Sequence, residues 1–550
     1  MIAPTAGSPI RSRGLESGAD DGPRGSRAVA FLLVASLVPG VLVWLVRVAG
    51  AVRLDRPCLA ATSGGEEEML FSVWKGIHGL PIYNDPWLPP FTDSPYGWLF
   101  FRGYTVWSAG WLAALGLDDA WLPTVSRCFT LVGMAVAIAA LAGLLRDTAR
   151  GGMRRLAWPL ALLALANPLF HWWSFTTRPD TWALAMELVA LRAAVRAVRS
   201  GGFWPLLFAA VPAYMAWAVR QSNVSVLAGL GCALVLDGVL SREGRTQPAS
   251  GAARDDAPAA PFGRWGHLAA RVAAGPWGRL AALVAVMAAA FAATFAALGR
   301  NFWESAIVAM AVAGDMRLDR VAAVAVSGVT RNPLLAVSAA ALPVLLVVRR
   351  SWRRDPVARL LVCTAAFALL FNLALAARTG SDTNYLMPAA AFLPPAVLAV
   401  CGGGRRGLAW GGLFVATGSV GLLVAGAIVL LGVRGRLAVE DDTHVHRLRA
   451  LGDRLARPVF CTHVAANVPW VLGDGAGSMV VGFPYAGMLR SRPERFAGGT
   501  VERMLRDGTF ATIVFADRHG WWREADADLT GYVRGPACPG YTIWEKTRPE

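Results

Sequence analysis

Apolar runs of close to twenty residues recur along this chain, each bounded by short polar stretches rich in arginine, glycine and proline. About 20 apolar residues in a helix cross the roughly 30 Å of bilayer hydrocarbon. The pattern predicts eleven spans: Ala28 to Val46, Leu122 to Leu145, Leu156 to Phe175, Thr181 to Val198, Phe203 to Val219, Asn223 to Leu240, Leu280 to Leu298, Pro333 to Val348, Val357 to Ala377, Tyr385 to Val400 and Trp410 to Val433. The first has no small-residue cleavage site close behind it and reads as an anchor rather than a cleaved signal peptide. The segment Tyr96 to Gly116 is interrupted by Arg102 and Gly103. That leaves only about thirteen residues before Asp118, too few to cross. It reads as a helix at the membrane surface, its tryptophans at headgroup level.

Arginine clusters test this count, because they concentrate in cytoplasmic loops. They occur in the N-terminal tail, at Arg146 to Arg155, Arg192 to Arg199, across 241–275, at Arg349 to Arg359, and at Arg405 and Arg406. They alternate correctly only if Tyr96 to Gly116 stays out of the membrane. The reading that follows has a disordered cytoplasmic tail (1–26) and a transmembrane domain (27–433) in a multi-pass plasma-membrane protein. An outer loop covers 51–121, a flexible cytoplasmic linker 241–275 and a second outer loop 300–331. Residues 434–550 form a small extracytoplasmic α/β domain. In it, HRLRALGDRLA reads as an amphipathic helix, PVFC and ATIVFAD as strands, and Val501 to Arg506 as a helix. The fold class is therefore mainly α and polytopic.

Composition agrees. The chain is 55% hydrophobic and only 16% charged, far from a soluble average. Its net charge of +16 is almost wholly arginine, lysine occurring only at Lys75 and Lys546. Since those arginines lie between apolar runs, the basicity is topological, and nucleic acid is not a partner. The seven cysteines form no CxxC pair and no zinc spacing. Cys461 and Cys538 share the outward domain, where a disulfide is permitted. His444 and His446, two apart on a helix, point to different faces and bind no metal. The run Gly473 to Ser478 lacks the Walker lysine and reads as a turn.

Chemistry is expected at the outer helix ends. The stretch after the first span carries Glu66, Glu67 and Glu68, followed by an aromatic, Pro-rich run. The turn after the third span brings His171, Arg178 and Asp180, the one after the fifth Arg220 and Gln221, and the one after the ninth Arg378, Asp382, Asn384 and Tyr385. A carboxylate takes a proton from an incoming hydroxyl or amine, and arginine grips a phosphate with forked hydrogen bonds. This mixture suits transfer from a phosphate-linked donor with a lipid tail, since nucleotide sugars are not expected outside. Arg178, Arg220 and Arg378 are the phosphate-binding candidates, and His171, Gln221, Asn384 and Tyr385 the substrate-binding ones.

These stretches resemble motifs of the GT-C superfamily of integral membrane glycosyltransferases, which includes protein O-mannosyltransferases and lipid A aminoarabinose transferases. GEEEMLFSVWKGIHGLPIY followed by SPYGWLFF is similar to the family's acidic first outer loop. TTRPD resembles its R-P-D turn, AVRQS its K-Q turn, and GSDTNYLMP a G-x-x-x-N-Y element. The resemblance implies a transferase moving a sugar from a polyprenyl-phosphate donor to a glycan, lipid or protein acceptor at the outer face of the bilayer. It implies catalytic roles for Glu66, with Glu67 close behind, and for Asp180. The sequence departs from the family where the frequent Asp-Glu pair is Gly65-Glu66. No cofactor is required by the motifs, and a divalent metal is compatible with them. The alternatives are a transporter or lipid flippase, or a non-catalytic scaffold of the same fold. A transporter would show repeated halves and polar residues at midplane, whereas here polarity gathers at the outer ends.

Overall fold

The computed structural model describes residues 23–60, 65–89, 91, 94–149, 151–200, 202–243, 275–378, 382–402, 405–432, 442–473, 484–496, 499–518, 523–524 and 527–547. The tail to residue 22, most of the 241–275 linker and the 474–478 part of the GDGAGS run lie outside these. The helices that matter below are α1 (Pro23–Ala51), α2 (Glu67–Ile77), α3 (Trp98–Leu115), α4 (Leu122–Thr148), α5 (Ala157–Leu165), α6 (Pro179–Ser200), α7 (Phe203–Val219) and α8 (Ser225–Glu243). They continue with α9 (Pro276–Trp303), α10 (Leu318–Arg331), α11 (Pro333–Val348), α12 (Pro356–Leu375), α13 (Met387–Cys401) and α14 (Arg405–Gly432).

Ten of the eleven apolar runs fall on helices over most of their length. Six stretches are long and apolar enough to cross a membrane: Phe31–Ala51, Asp119–Thr148, Pro276–Val312, Pro356–Leu375, Thr383–Cys401 and Ala409–Val429. Helices α10 and α11, bent by 107°, make a seventh if taken as one broken span. The bend lies at Asn332, whose side chain accepts the Leu335 amide while Pro333 opens the next helix, so neither helix runs through. The surface segment is the 18-residue helix α3 and is not among the apolar candidates.

One span needs correction. The expected helix from Leu156 to Phe175 stops at Leu165. Asn167 ends it by donating to the Leu163 and Ala164 carbonyls and accepting the Leu169 amide, and Pro168 follows. The freed residues to Arg178 form turns that carry candidate chemistry.

The second outer loop is more helical than its interruptions suggested. Helix α9 breaks at Gly299 (φ 71°) and passes into a π-helical turn at Glu304–Ala309. Glu304 Oε2 accepts from Trp87 Nε1 at 3.1 Å and from Arg495 at 2.7 Å, joining both outer loops to the C-terminal region.

That region comprises α15 (Asp442–Gly452), α16 (Pro484–Ser491), α17 (Val501–Arg506) and a four-stranded sheet of order β1-β2-β4-β3. The expected strands are β1 (Val459–Cys461) and β2 (Thr512–Ala516), paired in parallel with Phe460 opposite Ile513. β3 (Tyr532–Arg534) and β4 (Tyr541–Lys546) extend the sheet antiparallel. Cys461 and Cys538 are buried free thiols. Phe460, Ile513, Phe515 and Tyr532 pack with Tyr485, Met488, Val501 and Leu505 in a core drawn mostly from this region itself, and a second cluster ties it to the rest of the chain. Val445, Leu448, Val514 and Ile543 share one apolar cluster with Leu59, Leu70, Trp74 and Phe101 of the opening loop. Asp442 Oδ1 accepts the Leu59 amide at 2.7 Å and the Ala60 amide at 3.4 Å.

Candidate active site

Helix starts set the site. Pro179 opens α6, which has no upstream partner for its first amides and favours an acid there. Asp180 occupies that turn, and its side chain is nearly inaccessible to solvent. Oδ1 meets Arg220 at 2.6 Å and accepts from Asn384 Nδ2 at 2.8 Å, while Oδ2 lies 3.4 Å from Arg178 Nε. Arg220 follows the last turn of α7, and its guanidinium stacks 4.7 Å over the Tyr385 ring. Arg178 donates to the Gly65 carbonyl at 2.6 Å and to Tyr96 at 3.1 Å, and stacks on Trp173 at 4.8 Å. Three separate turns thus converge on Asp180, and the opening loop lies against them. A carboxylate between two guanidiniums is held as the anion.

Glycine permits the loop's approach. The Gly97 amide donates to the Val219 carbonyl at 3.2 Å, and a Cβ at Gly97 would fall 1.9 Å from the Ala218 carbonyl oxygen. No other residue lets the loop sit so close to the end of α7, next to Arg220.

The three glutamates have three different environments. Glu66 is fully buried and accepts from Arg127 Nε at 3.1 Å, Arg127 Nη2 at 2.7 Å and the Thr177 amide at 2.6 Å. Arg127 Nη1 also donates to the Ala51 and Cys58 carbonyls, so the pair fixes the end of α1, the loop and the Thr177–Arg178 turn together. Glu67 is equally buried. Its Oε2 accepts the Glu66 amide at 3.1 Å, while Oε1 has no partner. Burial, with help from the Glu66 charge, pushes the Glu67 carboxyl up to about 7. Glu68 is half-buried and close enough to act on the charge of Arg178.

Of the expected site residues, Asp180, Arg178, Arg220, Asn384 and Tyr385 form one constellation, and Glu66 and Glu67 adjoin it through Gly65 and Thr177. Gln221 is beside Arg220, its Nε2 buried without a partner. His171 belongs elsewhere: its Nδ1 lies 3.2 Å from Arg47 Nη1. Arg378 forms a β-bridge with Met316 of the second outer loop. The residue missed in sequence is Arg127, the one arginine inside the apolar run Leu122 to Leu145. A charge at membrane depth is itself a signal. Tyr96 and Arg47 gave no such signal.

The sequence matches no protein-family model and no curated protein. Solved structures are similar over nearly the whole chain. ArnT from Cupriavidus metallidurans bound to undecaprenyl phosphate superposes with a TM-score of 0.51 at 12% identity, covering 96% of this chain and 100% of that one. The archaeal oligosaccharyltransferase AglB from Archaeoglobus fulgidus, in complex with an inhibitory peptide and a dolichol-phosphate, gives 0.53 at 12% identity, covering 90% and 70%. The A. fulgidus enzyme with Zn and sulfate gives 0.51 at 14%, covering 94% and 73%. Both are GT-C membrane glycosyltransferases. The zinc raises the question of a metal here. Glu66 and Asp180 are each neutralised by arginine, and among the described residues no three His, Cys, Asp or Glu side chains converge.

Proposed function

We propose, on the premise that this chain carries the GT-C fold of integral membrane glycosyltransferases, that it transfers a glycosyl group from a polyprenyl-phosphate carrier to an acceptor at the outer membrane surface. One observation carries this reading: Asp180 is gripped by Arg220 and Arg178 beside Asn384 at the convergence of three helix-end turns. The donor class is supported by the lipid phosphates bound in ArnT and AglB.

In the reaction, the bond between the anomeric carbon and the phosphate oxygen breaks as an acceptor oxygen or nitrogen attacks from the opposite face, with inversion. The lipid phosphate leaves with the bonding pair, and Arg178 and Arg220 meet its charge. The acceptor's proton passes to Asp180. Without donor, both guanidiniums rest on Asp180 and weaken it as a base. A bound phosphate draws them away, so Asp180 becomes more basic only when the donor is in place. Gln221 and Tyr385, beside Arg220, border the substrate, while His171 against Arg47 and Arg378 at its bridge to Met316 stand apart from this constellation. Glu66 is already filled by Arg127 and the Thr177 amide, so it acts by positioning, and Glu67 supports the same loop from beneath.

The test is reconstitution of the protein in liposomes with undecaprenyl-phosphate sugars, following sugar transfer or release of the lipid phosphate. Native protein should turn over, and Asp180→Asn and Arg220→Gln should not. A native protein inert with every donor but moving lipid or solute across the vesicle would make it a transporter. Inertness with donor binding retained would make it a scaffold, in line with Gly65 standing where the family has an acid.

A further inference from the structure

A cavity of about 390 Å³ opens at the far end of the bundle from Asp180, where α6, α7, α8, α9 and α12 meet. Asp180 begins α6 and Val198, on the cavity wall, lies near its other end, roughly 27 Å away at ~1.5 Å per residue. The wall has two chemistries. Leu206 and Leu234 make it hydrocarbon, and Asp237, Arg279 and Arg359 make it charged. Pro276 and Pro356, both on its lining, are the first residues of two membrane-crossing stretches. The cavity therefore lies at the boundary between hydrocarbon and headgroups.

Among the described lining residues arginine outnumbers acid. Arg359, only 11% exposed, donates from Nε to Asp237 at 2.7 Å and from its guanidinium to the Arg353 carbonyl. The turn Arg350–Arg354 leads directly into α12. The lining carries Arg279 and Arg359 against Asp237, and among the described residues the turn before α12 adds Arg350, Arg353 and Arg354, while Asp355 caps α12. At its edge, Trp277 packs where Gly238 has no side chain, since a Cβ there would meet the indole at 2.6 Å. The ring stays 43% exposed, as interfacial tryptophans do. The arginine distribution assigns this end to the cytoplasm.

We propose that this cavity binds one anionic glycerophospholipid, its acyl chains along Leu206 and Leu234 and its phosphate at Arg279, Arg359 and the Arg350–Arg354 turn. A soluble anion would leave the leucine wall wet, and a zwitterionic lipid would place an ammonium among the arginines. Basic pockets between membrane helices select anionic headgroups on these grounds. The site is independent of the transfer chemistry at the other end.

Native mass spectrometry of the full-length protein released from membranes should show one retained phosphatidylglycerol or cardiolipin mass. Adding phosphatidylglycerol to delipidated protein in detergent should raise its melting temperature, and phosphatidylcholine should not. Arg279→Gln should cut the lipid-bound fraction at least fivefold. The pair Arg359→Gln with Asp237→Asn, which removes both members of that ion pair, should do the same. Exposed Arg353→Gln with Arg354→Gln gives a milder loss and serves if the buried pair fails to fold. Equal response to phosphatidylcholine, or full retention of lipid by Arg279→Gln, would overturn the proposal. Displacement of phosphatidylglycerol by undecaprenyl phosphate would overturn it in favour of a carrier-lipid site.

Discussion

Arg127 holds Glu66 through two nitrogens, Nε at 3.1 Å and Nη2 at 2.7 Å, in a space where neither side chain reaches solvent. Removing one partner of such a pair strands the other charge and costs about 3–5 kcal/mol. Glu66→Gln and Arg127→Met should each lower the melting temperature in detergent markedly. The double variant should lose clearly less than the sum of the two, because no charge is left unpaired. Additive losses in that thermal cycle would mean that the two groups do not depend on each other.

Asp180→Asn should behave differently. Transfer should fall by ~10²–10⁴, the usual contribution of a proton acceptor. Yet affinity for undecaprenyl phosphate should rise several-fold, since Arg178 and Arg220 no longer share their charge with an anion. Calorimetric titration of the lipid phosphate into both proteins separates the two effects. A fall in affinity alongside activity would reduce Asp180 to a structural anchor for the arginines.

Glu67 should make stability depend on pH. Burial raises its folded-state value from 4.5 to about 7, so between those values the folded protein keeps a proton that the unfolded chain has lost. Stability is then fully present below about pH 4.5 and declines as pH rises through about 7. Melting temperatures at pH 5 and pH 8 should differ in the native protein. Glu67→Gln should flatten the difference by raising the pH 8 value, and an unchanged slope in that variant would place the titration elsewhere.

Gly97→Ala tests the fit of the opening loop on α7. With a Cβ 1.9 Å from the Ala218 carbonyl oxygen, the loop must move off the helix end that carries Arg220. Turnover should drop at least tenfold, with the helical content measured by circular dichroism unchanged. Native-like turnover would show that the loop has slack at this point.

Much of this was legible in the chain before folding. Apolar length and arginine placement located the helices, because both follow from bilayer physics, which acts on each segment alone. Asp180, Arg178, Arg220 and Asn384 could be listed together because each stands at a helix end on one side of the bundle. What could not be read was which of the three glutamates an arginine holds. Glu66, Glu67 and Glu68 are alike in sequence, and only the arrival of Arg127 from α4 and of the Thr177 amide from the turn before α6 distinguishes them. The early stop of α5 escaped for a related reason: hydropathy registers Phe170 and Trp172 as membrane-like, while the decisive event is the local hydrogen bonding of Asn167. The strands β3 and β4 are short and polar, and their pairing with β2 is a long-range property.

The bond from the Leu59 amide to Asp442 spans 383 positions in the chain. At ~5–20 residues per second of synthesis, on the order of 20 to 80 s separate the emergence of its two ends from the ribosome. During that interval the opening loop lacks the residue that fastens its start. The fastening of that loop therefore waits until every helix of the bundle, the last ending at Gly432, has been made.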